Sequence, residues 1–217
     1  MLKDIVAQNV TTPNLPQKGI WNGKPGNSDF IINDDAVVVY EKNGYHKYSG
    51  VELKQWMYEN YGVSQVTYNH CEPDFLPFAD KYVGQIYIEK MPTERTGKGG
   101  TFDLAEQEFA KRRNLTVAEV KAYMLQNELT WHECADTHTI LAVPTRIHKA
   151  FSHLGGVSVQ KSIESIRKTL SRRYDGGRLC STRNTPFKKA YIVSGFDKSV
   201  REVRNEYKKM KRELFPK

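Results

Sequence analysis

The segment from Leu129 to Gly156 limits the fold of this chain more than any other part of the sequence. Leu129-Thr-Trp-His132 and Thr139-Ile-Leu-Ala-Val143 are short β-prone runs, and Asp136-Thr-His138 between them is typical of a turn. Pro144 ends the second run and suits the first position of a helix. The segment therefore predicts a strand, a turn, a second strand and a helix, in that order.

The same segment concentrates side chains that bind divalent metal ions. It contains four of the six histidines of the chain, together with two carboxylates and a thiol, namely His132, Glu133, Cys134, Asp136, His138, His148 and His153. Imidazole and carboxylate groups at this density are typical of a divalent ion held beside a general base. His148 and His153 are not stacked one helical turn apart, but both can reach one ion if the helix ends between them.

Several short motifs stand in a fixed order along this segment: Thr130-Trp-His-Glu133, Asp136, Ala142-Val-Pro144, Ile147-His148 and His153-Leu-Gly-Gly156. The arrangement resembles the ββα-metal core of HNH/endonuclease VII nucleases, and in particular the WHH-type nuclease toxins of bacterial polymorphic toxin systems. Similarity is strongest over about residues 100–160. It is weaker upstream, where it is carried by Lys18-Gly-Ile-Trp21, Pro25-Gly-Asn-Ser28 and Glu72-Pro-Asp-Phe75.

The resemblance implies an α+β fold and a metal-dependent endonuclease that hydrolyses DNA with low sequence specificity. One imidazole would take a proton from water, while a single divalent ion stabilises the charge on the phosphate. In the first assignment His132 is the base, His148 and His153 are metal ligands, and Glu133 or Asp136 is a third ligand or orients one. In the second assignment His132 is a ligand and Glu133 is the base. The first assignment is preferred, because a neutral imidazole titrates near the working pH whereas an ordinary carboxylate is a poor base there. The second stays open because Glu133 replaces the second histidine of the family motif.

The metal and its geometry also have alternatives. Imidazole ligands favour zinc or nickel, whereas a carboxylate ligand admits magnesium or manganese. A closed structural zinc site could draw on Cys134, His138, His148 and His153 and would leave no catalytic position. Their spacing matches no common zinc finger, and Glu133 would then have no role, so we expect catalysis and treat His138 and Cys134 as bystanders.

Positive charge is concentrated near the C-terminus. The net charge is +8, and residues 161–217 contain 17 Lys and Arg residues against six Asp and Glu residues. Such a region is suited to a polyanion such as nucleic acid. We expect phosphate contacts from six basic residues: Arg146, Lys149, Arg167, Lys168, Arg172 and Arg173. The alternatives are an RNase of the same fold and a zinc-stabilised protein that binds nucleic acid without cutting it.

We expect three regions: a turn-rich, hairpin and helical region over residues 1–100, the ββα-metal core with its preceding helices over 101–160, and a basic helical region over 161–217. Local patterns predict a hairpin around Asn43-Gly44, a helix from Val51 to Tyr61 and a helix capped by Thr116 and Glu119. A basic helix over residues 158–173, a short strand over 190–193 and an amphipathic helix from Val200 to Leu214 should follow.

The sequence shows no apolar run long enough to cross a membrane and no ordinary secretion signal. Three widely spaced cysteines fit a reducing compartment. The expected location is therefore the cytoplasm, with export by a leaderless route and action in the cytoplasm of a target cell left open. The family resemblance further implies an antibacterial toxin, or effector, held in check by a cognate immunity protein.

Overall fold

The computed structural model describes residues 15–174, with side chains through residue 165. In chain order the strands are β1 (Gly19–Trp21), β2 (Asp29–Ile32), β3 (Val37–Glu41), β4 (Tyr45–Ser49), β5 (Val66–Asn69), β6 (Glu72–Pro73), β7 (Gln85–Tyr87), β8 (Leu129–Glu133) and β9 (Thr139–Pro144). The helices are α1 (Gly50–Tyr61), α2 (Thr101–Arg113), α3 (Val117–Gln126), α4 (Thr145–Ala150) and α5 (Gly156–Tyr174). The strand predicted over 190–193 and the helix predicted over 200–214 lie outside the described residues.

Capping residues fix the ends of the helices. Thr116 and Glu119 form the predicted capping box of α3, in which each side chain bonds the backbone N–H of the other residue. Ser49 and Glu52 do the same at the start of α1. Gly62 ends α1 in the left-handed conformation at φ 73°, which a residue without a Cβ adopts at little cost. The predicted helices over these segments are confirmed.

The N-terminal part of the chain contains more strand than the sequence suggested. The predicted hairpin of β3 and β4 around Asn43-Gly44 is confirmed. Within the region expected to be rich in turns, β1 pairs antiparallel with β2, placing Trp21 opposite Phe30. β2 also pairs with β5, and β5 pairs with β6. Burial of apolar rings such as Phe30 stabilises this sheet.

The predicted order of strand, turn, strand and helix over the histidine-rich segment is confirmed. β8 and β9 form an antiparallel pair in which His132 lies opposite Leu141, and α4 starts directly after β9. β7 pairs with the other edge of β9, so the sheet has the order β7-β9-β8. The described chain is therefore an α+β structure, and residues from the first predicted region supply one strand of the sheet that carries the histidines.

Strand β9 lies between two apolar cores. Leu141 and Val143 pack into a cluster with β2, α1 and α4, while Ile140 and Ala142 pack on the opposite face with α2 and α3. All four side chains are buried, as alternation along a strand with both faces covered requires. Because both faces are packed, β9 is a rigid support for β8 and α4, the two elements that carry the first histidines of the site.

Candidate metal centre and active site

Three imidazoles converge at the end of the β8–β9 pair. His132 lies on β8, His148 lies on α4, and His153 lies in the loop between α4 and α5. The centroid of the His153 ring is 4.7 Å from that of His132 and 4.8 Å from that of His148. One nitrogen of each ring lies within 4.8 Å of the others. These residues are called the three-histidine cluster below.

The convergence depends on where α4 ends. The last residue of the helix is Ala150, and Phe151 takes an extended backbone at φ −110° and ψ 94°. Continued helix would have turned His153 away from His148, because five residues rotate a helix by about 500°. The early end instead lets the chain fold back, so that His153 contacts both other rings.

Hydrogen bonds select the tautomer of His153. Its Nδ1 atom lies 2.9 Å from the carbonyl oxygen of Phe151. A carbonyl oxygen only accepts, so Nδ1 is the protonated nitrogen and Nε2 has a free lone pair. That Nε2 atom faces the Nδ1 atom of His132 at 3.1 Å. A backbone carbonyl bonded to the far side of a ring is the usual way in which proteins orient a metal-binding histidine.

Apolar packing holds the three rings in place. His132 is only 1% exposed, and the ring of Phe75 meets it edge-on at a centroid distance of 4.8 Å. Phe75 also contacts His153 at 5.3 Å and His148 at 5.9 Å. Phe75 belongs to an upstream motif for which the sequence indicates no role. Its position shows that this motif supplies one wall of the cluster.

Burial keeps the imidazoles neutral. It lowers the pKa of His132 well below the ordinary value, lowers that of His148 to about 3, and lowers that of His153. The charge of Arg95 lowers each pKa further, and His153 acts likewise on His132 and His148. Neutral imidazole is the form that binds metal ions.

The cluster fits a divalent metal ion. Two imidazole nitrogens that share an ion at bond lengths of about 2.0–2.1 Å lie roughly 3 Å apart. The 3.1 Å separation between His132 Nδ1 and His153 Nε2 meets that requirement. Three nitrogen donors suit zinc, nickel and related transition metals, and leave further coordination positions for a substrate.

Glu133 and Arg95 lie beside the cluster. The Oε2 atom of Glu133 accepts a hydrogen bond from Nε of Arg95 at 2.9 Å and lies 2.8 Å from its Nη2 in an ion pair. The other carboxylate oxygen, Oε1, is buried and has no hydrogen-bond partner among the described residues. Glu133 is 3% exposed, whereas the side chain of Arg95 is 49% exposed. One end of this ion pair is therefore inside the protein and the other reaches solvent.

Arg95 and Glu133 line a cleft of about 680 Å³ together with two histidines of the cluster. Its lining includes Arg95, Glu133, His148, Lys149 and His153. No local sequence pattern indicates a role for Arg95, which stands just before the glycine-rich loop over 96–100. Its contact with Glu133 spans 38 residues of sequence and is visible only in the structure. A basic rim around a carboxylate and two imidazoles can receive a phosphodiester, whose charge requires cationic partners.

The remaining metal-binding candidates lie elsewhere. The carboxylate of Asp136 accepts hydrogen bonds from the backbone N–H of His138 and from the N–H and hydroxyl of Thr139, so it organises the turn between β8 and β9. Within the described part of the chain, it is not among the groups placed close enough to share an ion with the three-histidine cluster. The structure therefore brings together four of the five predicted catalytic and metal-binding residues, with Asp136 at the adjacent turn.

The four residues of the alternative closed zinc site are not gathered. Nδ1 of His138 bonds the carbonyl oxygen of Ile88 at 3.1 Å, and its ring stacks on Tyr87. Cys134 lies near His132 rather than with His148 and His153. Burial raises the pKa of the Cys134 thiol, and the nearby carboxylates, chiefly that of Glu72, raise it further.

The predicted phosphate-binding residues fall into different environments. Arg146 is enclosed: its guanidinium lies 4.6 Å from the Tyr48 ring, 4.3 Å from the Trp56 ring and 3.4 Å from an oxygen of Glu128. Lys149 is exposed and lines the cleft. The side chains of the other four predicted residues lie outside the described part of the chain; these are Arg167, Lys168, Arg172 and Arg173.

The described residues form a small α+β domain in which neutral imidazoles, a carboxylate and exposed cations surround one cleft, an arrangement consistent with a small nuclease domain. The family described as the DNase/tRNase domain of colicin-like bacteriocin matches residues 40–155. That match spans more than half of the 217 residues, and the chain belongs to this family. It is therefore a bacteriocin-type nuclease toxin domain, and nuclease domains of this type are metal-dependent in general.

Comparison with curated proteins and with solved structures finds no match to this chain. The matched segment runs from strand β3 to the loop after α4, so it contains all three imidazoles of the cluster. Among the helices that the structure describes, none is long and apolar enough to cross a membrane.

Proposed function

We propose that the chain is a metal-dependent endonuclease of the HNH/endonuclease VII type that hydrolyses DNA phosphodiester bonds with low sequence specificity. The observation that carries the proposal is the convergence of three neutral imidazoles beside a cleft lined by Glu133 and Arg95. Its placement on a strand, turn, strand and helix supports the finer assignment to a ββα-metal core of the WHH type.

One divalent ion would be held by His132, His148 and His153, and it would supply electrostatic stabilisation of the charge that develops on the phosphate. Three nitrogen donors favour zinc or nickel, and magnesium or manganese would need added oxygen ligands. Phe75 and the Phe151 carbonyl hold the rings in position for this role. The position of Asp136 in the turn supports a role in shaping the hairpin rather than in binding the ion.

The geometry favours the second of the two role assignments for His132 and Glu133. A general base must reach both water and substrate, whereas His132 does not line the first cleft and its Nδ1 faces His153. Glu133 lines the cleft, and its Oε1 is a buried acceptor without a partner among the described residues. We therefore assign His132 as a metal ligand and Glu133 as the residue that accepts the proton of the attacking water.

Arg95 and Lys149 would contact the phosphate backbone. Arg95 is held by its ion pair with Glu133 while much of its side chain stays in solvent. Contacts with phosphates position a nucleic acid without reading its bases, which agrees with low specificity. The basic residues Arg167, Lys168, Arg172 and Arg173 would extend this contact, and the division into regions 1–100, 101–160 and 161–217 remains part of the proposal.

The biological role follows from the toxin family. A nuclease made in the cytoplasm endangers its producer, so we expect a cognate immunity protein that binds the domain and blocks its action. We propose an antibacterial effector that leaves the producing cell and acts in the cytoplasm of the target cell. Coexpression with the product of the neighbouring gene, followed by survival and copurification, tests this role.

Incubation of plasmid DNA and of total RNA with the purified protein tests the activity. Each substrate is treated with EDTA, then with zinc, nickel, manganese or magnesium. We expect nicked and linear plasmid with at least one ion, and none with EDTA or with the His148→Ala variant. Preferential loss of RNA would favour the RNase alternative, which the family description also permits. Binding of DNA without cleavage under every ion would support the non-catalytic alternative.

A further inference from the structure

A second cavity, of about 630 Å³, is lined by His132 and differs from the first cleft in charge. Three carboxylates face it, those of Glu72, Asp74 and Asp136, and its lining contains no Lys or Arg among the described residues. The first cleft instead contains Arg95 and Lys149. A phosphodiester is attracted to the first cleft and repelled by the second, whereas a cation is attracted to the second.

Three different donor atoms approach one another in this acidic cavity. A carboxylate oxygen of Glu72, a nitrogen of His132 and the sulfur of Cys134 all lie within 4.8 Å of one another. They form a second group that shares only His132 with the three-histidine cluster. Neither Glu72 nor Cys134 has a role in the nuclease mechanism above.

Backbone hydrogen bonds fix the positions of these donors. The backbone N–H of Ala135, next to Cys134, donates to the Glu72 carboxylate. The N–H of Cys134 donates to the carbonyl oxygen of Thr139 at 2.9 Å, which continues the pairing of β8 with β9. The strand that places His132 in the three-histidine cluster therefore also presents Cys134 to the acidic cavity.

We propose that Glu72, His132 and Cys134 form a second cation site, specific for thiophilic divalent ions such as zinc or cadmium. One sulfur, one nitrogen and one oxygen donor constitute a mixed set that zinc accepts in proteins. Thiolate selects zinc-like ions over magnesium and manganese, which prefer oxygen. Binding releases the thiol proton of Cys134 to solvent, and the adjacent carboxylates offset the positive charge that the ion brings.

Because His132 belongs to both groups, occupation of the second site affects the first. The Nδ1 atom of His132 faces His153, and an ion bound on the acidic side withdraws electron density from the ring or turns it. Either change weakens the three-histidine cluster. This consequence rests on the proposed function: zinc in excess should inhibit cleavage supported by another ion, and the inhibition should depend on Cys134.

Cadmium is the probe for the site, because its bond to thiolate gives an ultraviolet charge-transfer band that needs no enzymatic activity. The full chain, freed of metal, is titrated with cadmium alongside Cys134→Ser, Glu72→Gln and the control Cys71→Ser. We expect the band in the parent and in Cys71→Ser, its loss in Cys134→Ser, and an affinity in Glu72→Gln reduced by about ten-fold or more. Circular dichroism checks that each variant is folded.

Activity provides the second measurement. Plasmid cleavage is measured with manganese as the supporting ion and with increasing zinc. The zinc concentration that halves cleavage should be about ten-fold higher or more in Cys134→Ser than in the parent. Without zinc, Cys134→Ser should cleave at the parental rate. No cadmium–thiolate band in the folded parent, or a band that persists in Cys134→Ser, would overturn the site. A band in a protein that cleaves nothing would support the site and contradict the nuclease proposal instead.

Discussion

The Nδ1 atom of His132 lies 3.1 Å from the Nε2 atom of His153, and the far nitrogen of the His153 ring is bonded to a backbone carbonyl. The second contact leaves Nε2 of His153 as an acceptor, so the space between the two rings can hold a proton or a metal ion. A proton in this space forms the hydrogen bond between the two rings, and burial keeps both rings in the neutral form that binds a metal ion. Removal of either ring should therefore weaken metal binding.

Replacement of His132 or His153 by alanine should lower zinc affinity by at least about ten- to a hundred-fold and abolish plasmid cleavage, because each ring supplies one of three ligands. Isothermal titration calorimetry with zinc measures the affinity. His138→Ala is the matched control, since His138 lies on the same hairpin but bonds Ile88 instead of joining the cluster. Parental zinc affinity in His132→Ala would contradict its assignment as a ligand.

Glu133→Gln separates the two role assignments. The amide keeps an oxygen that can accept from Arg95 but cannot take a proton from water, so cleavage should fall by about 10²- to 10⁴-fold in kcat with little change in zinc affinity. Single-turnover cleavage of a short duplex measures the chemical step. Full activity in this variant, combined with intact zinc binding in His132→Ala, would restore His132 as the base.

Arg95→Gln should lower the free energy of unfolding as well as the rate of cleavage. Its removal leaves the buried Glu133 carboxylate without its charged partner, at a cost of roughly 1–3 kcal/mol after allowance for the solvent exposure of Arg95. The double variant Arg95→Gln/Glu133→Gln should recover part of this loss, because no buried charge remains unpaired. Guanidinium denaturation of the three variants and the parent measures the free energies, and additive losses would contradict this coupling.

Local sequence signals predicted much of the fold and part of the site. A capping box at Thr116, a turn at Asn43-Gly44 and the proline after β9 each act through neighbouring residues, so a pattern within a few positions is sufficient to predict them. The histidines of the cluster could be identified for a similar reason, since they lie within one hairpin, the helix that follows it and the loop after that helix.

Contacts between distant segments could not be predicted in this way. Arg95 meets Glu133 across 38 residues, and Phe75 covers His132 from the loop after β6. Nothing local to Arg95 distinguishes it from other exposed basic residues. The same limit explains the treatment of Arg146, which the sequence grouped with Lys149 although tertiary packing encloses only Arg146.

Arg146→Met and Lys149→Met should therefore behave differently. Arg146→Met removes contacts with Tyr48, Trp56 and Glu128 and should lower the free energy of unfolding by about 2 kcal/mol or more. Lys149→Met should leave stability within about 0.5 kcal/mol and weaken DNA binding, with a smaller salt dependence. Denaturation and fluorescence anisotropy across salt concentrations measure the two properties. A loss of DNA affinity in Arg146→Met equal to that in Lys149→Met would mean that Arg146 also contacts phosphate.

The metal-free protein should lose stability as the pH falls below the ordinary histidine value of about 6.5. Burial lowers the pKa of His132, His148 and His153 in the folded state, so between about pH 6.5 and the lower folded values only the unfolded chain takes up these protons. Stability from these rings is complete above about pH 6.5 and decreases at up to about 1.4 kcal/mol per pH unit for each ring below it.

Glu72 acts in the opposite direction, because burial raises its pKa to about 7 and its stabilising protonated form is lost as the pH rises. Glu72 is present in both the parent and His148→Asn, so its contribution cancels when the free energies of unfolding of the two proteins are subtracted. Urea unfolding at about pH 7.5 and about pH 5 should show a smaller acid loss in His148→Asn than in the parent. Identical losses in the two proteins would mean that the His148 ring is protonated in the folded state. Its neutral, metal-binding form would then have to be established by deprotonation when the ion binds.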